Sequence, residues 1–248
     1  MGPMIWIWAS SGGGNPGGFD QLAFFEDFND TAGIDMGDTG APGFNFYRSR
    51  PFSWAPCDLG SFSVANSILT ISPVPGDSYS NGSLFSTYYN GSSLIGFSAR
   101  GGAYFEARIA AESLSGMTGH PAFWSFASEA IYEAAEPHQE VDFMERQGGG
   151  NERFGTAVWR WSEGSPTNVG YDGGNGYPLP APTDGFHVYG WLWVPGDRME
   201  LYVDDVKTNS WAYSDNPGLD CGDNWGWPII LGSGEGWPMQ VDWVKVWQ

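Results

Sequence analysis

Residues 140–145 read Glu140-Val141-Asp142-Phe143-Met144-Glu145, three carboxylates within an apolar, strand-prone stretch. Successive side chains of a β-strand alternate between its faces, so Glu140 and Asp142 share one face. Glu145 lies five residues after Glu140, an odd separation that places it on the opposite face of a regular strand. One β-bulge between Asp142 and Glu145 restores the register, because it gathers the three acids on one face and turns the apolar residues toward the core.

The grouping of three acids has an energetic cost, since like charges raise one another's pKa and burial removes solvation. Such a cost is understandable where one acid must be ionised while another is protonated at the same pH. Glycoside hydrolysis requires this division of labour. On the hexapeptide alone, a solvated strand edge and a calcium site are equally good interpretations. The surrounding sequence decides between them.

The composition indicates one all-β domain with a substantial core. The chain has 248 residues, with 37 Gly, 17 Pro and 17% aromatic residues, which suits many short strands joined by tight turns. Residues 10–18, Ser-Ser-Gly-Gly-Gly-Asn-Pro-Gly-Gly, are typical of a flexible spacer. We therefore predict a flexible segment over residues 1–20 and a β-sandwich domain over residues 21–248, built from two antiparallel sheets, one of them concave.

Alternation and turn residues predict individual elements along the chain. Residues 162–185 are rich in Gly, Pro, Asn and Asp and predict a long loop beside a cleft, and residues 128–136 are the one plausible short helix or loop. Strands are predicted at Phe62–Val64, Ile68–Ile71, Leu84–Tyr89, Tyr104–Ile109 and Met199–Val203.

Charge and cysteine content limit the partners and the compartment. The chain has 10 Lys and Arg against 29 Asp and Glu, a net charge of −19, which disfavours nucleic acid and anionic membrane surfaces. A neutral polysaccharide fits best, and we expect a secreted, monomeric protein because polysaccharides are extracellular. No run approaches the length of a membrane span. Cys57 and Cys221 either form one disulfide or remain two thiols, which spacing alone does not decide.

Several blocks of the chain resemble glycoside hydrolase family 16, a family of jelly-roll enzymes that includes laminarinases, lichenases, agarases and κ-carrageenases. The hexapeptide matches its bulged E-x-D-x-x-E signature. The other blocks occur in family order and span roughly residues 21 to 248: Phe25–Asn29, Gly102–Ile109, Pro121–Trp124, Phe186–Trp193, Leu201–Asp205 and Val241–Gln248.

The resemblance implies a concanavalin A-like jelly roll and an endo-acting, retaining β-glycosidase that needs no cofactor for its chemistry. It assigns Glu140 as the nucleophile, Glu145 as the general acid/base and Asp142 as the electrostatic partner between them. Two Glu side chains that lean toward each other across the bulge can reach the separation of about 5–5.5 Å that a retaining mechanism needs.

Fourteen Trp residues suggest aromatic platforms for sugar rings, although a Trp in a β-sandwich more often fills the core. The resemblance favours Trp124, and Trp159 and Trp161 share a face of the next strand. Trp193 faces either the cleft or the core. The predicted substrate-binding residues are Trp124, Trp159, Trp161, His138, Trp193 and Arg146, while for Arg146, as for Arg108, a salt bridge on the sheet is the alternative.

Three departures from the family affect the expected substrate. His138 and Gln139 stand where many members have a Trp or a Cys-Gly, Trp159 replaces a common His, and His120 replaces the usual Trp before Pro121. A β-1,3-type glucan is the leading substrate and an agarose-type galactan the alternative. A glucan transglycosylase and a non-catalytic carbohydrate-binding protein are the other functions that the sequence leaves open.

Calcium is the one metal that the resemblance suggests. It implies a structural Ca²⁺ site far from the catalytic acids, with Asp27 through its carbonyl, the Ser67 carbonyl and Asp242 as ligands. Hard oxygen ligands of this kind suit Ca²⁺. The alternatives are an empty site and an Asp242 that only caps its strand.

Overall fold

The computed structural model describes residues 15–48, 57–72, 82–111, 121–127, 137–145, 153–171, 177–178, 185–234 and 237–248. Within these ranges the strands are, in chain order, β1 (Leu22–Glu26), β2 (Ile34–Asp35), β3 (Phe46–Tyr47), β4 (Phe62–Ala65), β5 (Ile68–Ile71), β6 (Ser83–Phe85), β7 (Thr87–Tyr89), β8 (Leu94–Gly96), β9 (Ala103–Ala110), β10 (Ala122–Phe126), β11 (His138–Glu145), β12 (Arg153–Ser162), β13 (Ser165–Tyr171), β14 (Tyr177–Pro178), β15 (Phe186–Val194), β16 (Arg198–Val203), β17 (Val206–Ala212), β18 (Ile230–Gly232) and β19 (Met239–Trp247). Leu59–Ser61 and Leu219–Gly222 form short 3-10 helices.

The strands form two large sheets, which confirms the predicted all-β jelly-roll class. The eight-stranded sheet has the order β17-β16-β15-β9-β19-β5-β4, with β1 also paired to β19. The nine-stranded sheet has the order β13-β12-β11-β10-β18-β6-β3-β2, with β14 paired to β12. Strands β7 and β8 form a small separate hairpin. Strands distant in sequence are neighbours in both sheets, as the crossing connections of a jelly roll require.

The core lies between the two large sheets and is rich in aromatic side chains. Phe143 of β11 has its ring centroid 5.0 Å from that of Phe105 and 5.5 Å from that of Trp191, both from the opposite sheet. Trp193 and Trp227 stack in parallel at 4.2 Å. Aromatic contacts at these separations stabilise a core beyond the area that they bury. These contacts hold the core-facing side of β11 in place, so the side chains on its opposite face have fixed positions.

Strand β11 carries the predicted bulge. Asp142 pairs with Ala157 of β12, and Glu145 pairs with Gly155, so three steps on β11 match two on β12. The same irregularity occurs on the β10 side. Phe143 and its neighbour Met144 are both fully buried in the core, as the bulge allows. The bulge predicted from the spacing of the acids is therefore confirmed.

The predicted loop over residues 162–185 is wrong in part, because it contains strand β13. Glu163 and Gly164 form the turn between β12 and β13 with φ of +52° and +71°. Two successive residues with positive φ are the geometry of a tight two-residue hairpin turn, which fits the twist of the flanking strands. The Gly, Pro and Asn content of the segment concealed the strand that follows this turn.

The other strand predictions are confirmed, except that one predicted strand is divided into two. The predicted strand over residues 84–89 is two strands, β6 and β7, separated at Ser86. The Ser86 hydroxyl donates to the Phe97 carbonyl at 2.7 Å and accepts from the Ile229 backbone N–H at 2.8 Å. These two bonds connect Ser86 to two other segments of the chain. The strand pairing therefore changes between β6 and β7.

Several predictions lie wholly or partly outside the described residues: most of the spacer, the element over residues 128–136, and the side chains of His120 and Arg146. Cys57 and Cys221 are not joined by a disulfide and remain thiols. No helix in the described ranges has the length and hydropathy needed to cross a bilayer.

Candidate active site

The three acids lie on the outer face of the nine-stranded sheet, away from the core. On β10, Phe126 pairs with Glu140 and Trp124 pairs with Asp142. Both aromatic residues belong to a hydrophobic cluster that is separate from the core between the sheets. Glu140 and Asp142 share this face because paired residues of neighbouring strands point to the same side. We call this surface the acid face.

Two Trp residues on β12 donate hydrogen bonds to the acids. Trp161 pairs with His138 in the sheet, and its indole nitrogen reaches diagonally to Glu140 Oε2 at 3.1 Å. Trp159 pairs with Glu140, and its indole nitrogen reaches Asp142 Oδ2 at 3.0 Å. Each carboxylate therefore receives one N–H from a rigid ring, and bonds from donors to charged acceptors are stronger than neutral ones.

Burial and mutual repulsion change the titration of the acids. Burial raises the pKa of Glu140 to about 7, the Trp161 hydrogen bond opposes that rise, and the charge of Glu145 adds to it. Burial raises the pKa of Asp142 even more clearly, with further contributions from the charges of Glu140 and Glu145. The three acids are thus close enough to interact, and the titrations of Glu140 and Asp142 are linked near neutral pH.

Asp142 and Glu145 have different surroundings. Asp142 is 6% exposed, and the Thr156 hydroxyl donates to its backbone carbonyl at 2.6 Å. Glu145 is partly exposed, and its sheet partners are Ala122 and Gly155. These small neighbours leave space beside the Glu145 carboxyl for a bulky group. The sheet therefore buries Asp142 and leaves Glu145 partly accessible.

An apolar surface continues from the acids toward His138. The ring of His138 lies parallel to that of Trp161, with centroids 6.4 Å apart, and its centroid is 5.0 Å from that of Phe126. Trp161 is partly exposed and packs on the cluster that contains Trp124 and Phe126. Aromatic faces next to carboxylates suit a ligand whose rings have both C–H and hydroxyl faces.

The structure gathers most of the predicted substrate residues but excludes one. Trp124, Trp159, Trp161 and His138 all lie on the acid face. Trp193 does not, and its prediction as a substrate-binding residue is wrong. It is completely buried between the sheets, where its indole nitrogen donates to Asp223 Oδ1 at 3.2 Å. Alternation along β15 turns it to the core together with Trp191.

The described residues give no support for the predicted calcium site. Asp27 Oδ2 accepts from the amide of Asn29 at 2.6 Å, and the Ser67 hydroxyl donates to Asn29 Oδ1 at 2.9 Å. The Asp242 carboxylate forms an ion pair with Arg108 at 2.7 Å, which already neutralises its charge. In the part of the chain that the structure describes, no three His, Cys, Asp or Glu side chains cluster as metal ligands. The Arg108 contact is the salt bridge named as an alternative above.

Sequence reasoning missed two features of the site. It predicted Trp159 and Trp161 as sugar platforms but did not foresee that their N–H groups bind the acids. It also missed Phe126 and Thr156, which pack beside Glu140 and anchor the Asp142 backbone. The sheet register would have revealed the first feature, because both Trp share the face of the acids once β11 and β12 are aligned.

Solved structures similar to this chain have the same fold. An endo-β-1,3-glucanase from Pyrococcus furiosus is 19% identical, with a TM-score of 0.61 over 92% of this chain and 94% of that one. β-Agarase A from Zobellia galactanivorans is 18% identical, with a TM-score of 0.65 over 98% and 97% of the two chains. A GlcNAcα1-4Gal-releasing endo-β-galactosidase from Clostridium perfringens is 15% identical, with a TM-score of 0.63 over 96% of this chain and 65% of that one.

Sequence comparison identifies the family. A search of curated proteins finds no match. The model of glycosyl hydrolases family 16 matches residues 67–220, which is more than half of the chain and includes the bulged strand. The chain belongs to glycosyl hydrolases family 16.

Proposed function

We propose that this protein is an endo-acting, retaining β-glycoside hydrolase that cleaves a neutral polysaccharide, with a β-1,3-type glucan as the leading substrate. The observation that carries the proposal is the arrangement of Glu140, Asp142 and Glu145 on one face of a bulged strand, two of them held by indole N–H groups. Crowding of acids is unfavourable for folding, so a protein that only bound sugar would gain nothing from it.

In the first step, Glu140 attacks the anomeric carbon while Glu145 gives its proton to the leaving glycosidic oxygen. The bond from the anomeric carbon to that oxygen breaks, and an ester bond to Glu140 forms. Glu140 must be ionised for this step. Asp142 is more deeply buried than Glu140, so of these two acids Asp142 keeps its proton near neutral pH, and the Trp161 N–H stabilises the Glu140 anion.

In the second step, water enters from the side where the leaving group departed. Glu145, now ionised, removes a proton from the water as its oxygen attacks the anomeric carbon, and the ester to Glu140 breaks. Glu145 has the accessible position and the small neighbours that this exchange of sugar for water needs. Two displacements on one carbon retain its configuration. No cofactor takes part in either step.

A galactan is the second candidate substrate. Trp159 stands where many glucan-cleaving members have a His, and its N–H is engaged by Asp142, so the contacts next to the scissile bond differ from the family's usual ones. β-Agarase A from Zobellia galactanivorans aligns over 98% of this chain. The acidic net charge of −19 favours a neutral polymer in either case. We propose that the protein is secreted, because such polymers lie outside the cell, and that it acts as a monomer.

The test is the release of new reducing ends from laminarin, mixed-linkage glucan, agarose and carrageenan, with Glu145→Gln as the inactive partner. Release from one polymer by the wild type alone supports the proposal and identifies the substrate. If no reducing ends are released from any of the four polymers but one polymer is still bound, hydrolysis would be contradicted and a binding protein indicated. If an oligosaccharide of the cleaved polymer is then supplied alone, products longer than that oligosaccharide would indicate transglycosylation.

A further inference from the structure

An open pocket of about 700 Å³ lies behind the strand that carries the indole donors. Arg160 lines it, and because Arg160 lies between Trp159 and Trp161 on β12, its side chain points away from the acid face. Thr167, the partner of Arg160 on β13, lines the same pocket. The pocket is therefore separated from the acid face by the thickness of one sheet.

The opposite wall of the pocket comes from the segment around the 3-10 helix Leu219–Gly222, which contributes Asp220, Asn224 and Trp225. Gly218 permits the close approach of this segment. A Cβ at Gly218 would lie 3.1 Å from Arg160 Cδ, and its φ of +100° is one that a side-chain-bearing residue rarely adopts. The stem of Arg160 thus packs directly over this glycine, which holds the guanidinium at the pocket wall.

The polar side chains of the pocket are available to a ligand. Within the described residues, the side chains of Arg160, Thr167, Asp220, Asn224 and Trp225 have neither a hydrogen bond nor an ion pair, although they line one concavity. Arg160 and Asp220 do not pair with each other.

The chemistry of these groups selects the ligand class. One cation and one anion give the pocket no net charge, because burial raises the pKa of Cys221 to about 12 and keeps its thiol neutral. An anion would meet Asp220, and a cation would meet Arg160. A neutral polyol avoids both conflicts, because its hydroxyls donate to the carboxylate and accept from the guanidinium. The partly exposed indole of Trp225 provides a face for a sugar ring.

We propose that this pocket is a second glycan-binding site, which takes a short segment of a neutral polysaccharide. A single extended chain does not reach both faces of the sheet without passing over the edge strand β13. The pocket therefore holds a different segment or chain from the one at the acids, and it keeps the enzyme on its polymer between cleavages. The kind of sugar rests on the function proposed above, whereas the pocket itself does not.

The test observes the two sites separately in one titration. Protein that carries Glu145→Gln, which prevents cleavage, is labelled with ¹⁵N at tryptophan and titrated with laminarihexaose and, separately, with neoagarohexaose. Trp→Phe variants assign the indole N–H signals. We expect the Trp225 signal to shift with its own binding curve, distinct from the curve of Trp161 at the acids.

A blocking variant distinguishes local binding from a general effect. Thr167→Tyr fills the pocket from an exposed position on an edge strand, where an aromatic residue suits β-structure. It should raise the dissociation constant read from Trp225 about tenfold or more and change the one read from Trp161 less than about twofold. Thr208→Tyr, on the edge strand of the other sheet, is the matched control and should change neither constant.

The possible results separate this proposal from the previous one. A Trp225 shift without a Trp161 shift supports the pocket and contradicts the proposed substrate of the acid face. A Trp161 shift without a Trp225 shift overturns the second site and leaves the hydrolase proposal standing. A Trp225 signal that shifts equally in the wild-type background and in Thr167→Tyr also overturns the second site. So does a Trp225 signal that neither sugar shifts.

Discussion

The indole nitrogen of Trp161 lies 3.1 Å from Oε2 of Glu140, although Trp161 pairs in the sheet with His138, two residues earlier on the same strand. Trp159 repeats the diagonal contact one step further along, to Asp142. The donors are held by the sheet itself, so they keep their positions as charge develops on the carboxylates. Preorganised donors of this kind stabilise an anion without reorganisation.

Removal of the Trp161 donor should shift the pH dependence of catalysis. Trp161→Phe keeps an aromatic ring but loses the N–H that lowers the pKa of Glu140. That pKa then rises above its value of about 7. Because Glu140 must be ionised, the acidic limb of kcat/KM should move about one unit to higher pH, with about a tenfold loss of kcat/KM on that limb. The measurement is a pH series of kcat/KM.

Trp243→Phe is the control for that experiment, since this indole lies on β19 of the other sheet. Its profile should match the wild type. A Trp161→Phe enzyme with an unmoved acidic limb would show that the hydrogen bond does not govern the ionisation of Glu140.

The crowded acids should lower stability at neutral pH. The pKa of Glu140 is raised in the folded state, so the folded protein binds more protons than the unfolded chain between about pH 4 and pH 7. The free energy of unfolding therefore falls as the pH rises through this interval. Glu140→Gln removes the titration and should raise the Tm at pH 8, by about 2–4 °C for each kcal/mol recovered.

At pH 4 the wild-type carboxyl is protonated in the folded protein and mostly protonated in the unfolded chain, so the Tm difference between Glu140→Gln and the wild type should become small. Glu163→Gln, in the exposed turn between β12 and β13, controls for the loss of one negative charge. A Glu140→Gln protein less stable than the wild type at pH 8 would contradict a destabilising carboxylate.

Trp193 should affect stability and not sugar binding. It is fully buried and stacks on Trp227 at 4.2 Å, so Trp193→Ala should lower the free energy of unfolding by about 3–5 kcal/mol. Trp193→Phe keeps part of the stack and should lose less. Urea unfolding measures both changes. If Trp193→Phe weakened oligosaccharide binding as much as Trp161→Phe while unfolding like the wild type, its assignment to the core would be wrong.

Reductant should not change the stability, because Cys57 and Cys221 are separate thiols. A thiol reagent should titrate two groups per chain after unfolding without reductant. In the folded protein both should react slowly, since Cys57 is buried and burial raises the pKa of Cys221 to about 12. Two thiols that appear only after reduction would establish a disulfide instead.

The parity of the acids predicts the bulge in β11, because the spacing of Glu140, Asp142 and Glu145 leaves no other way to put them on one face. The same alternation predicts strands such as β5 and β16. These features are local, so the sequence contains the information needed to find them. Their confirmation shows that the period of a strand is enough where side chains of different chemistry mark its two faces.

Features that depend on pairing between distant segments were not predictable in this way. Alternation places Trp193 on one side of β15 but does not say which side faces the core, and that depends on packing against Trp227. Strand β13 was concealed by its turn-rich composition. The bonds from Trp159 and Trp161 to the acids require the register of β12 on β11, which no local pattern fixes.

The configuration of the first product tests the proposed mechanism most directly. Wild-type enzyme and its preferred oligosaccharide are mixed in an NMR tube, and the anomeric proton signals are recorded before mutarotation. Double displacement through Glu140 predicts that the β-anomer of the new reducing end appears first and the α-anomer only later. An α-anomer that appears first would show a single displacement by water and would contradict the assignment of Glu140 as the nucleophile.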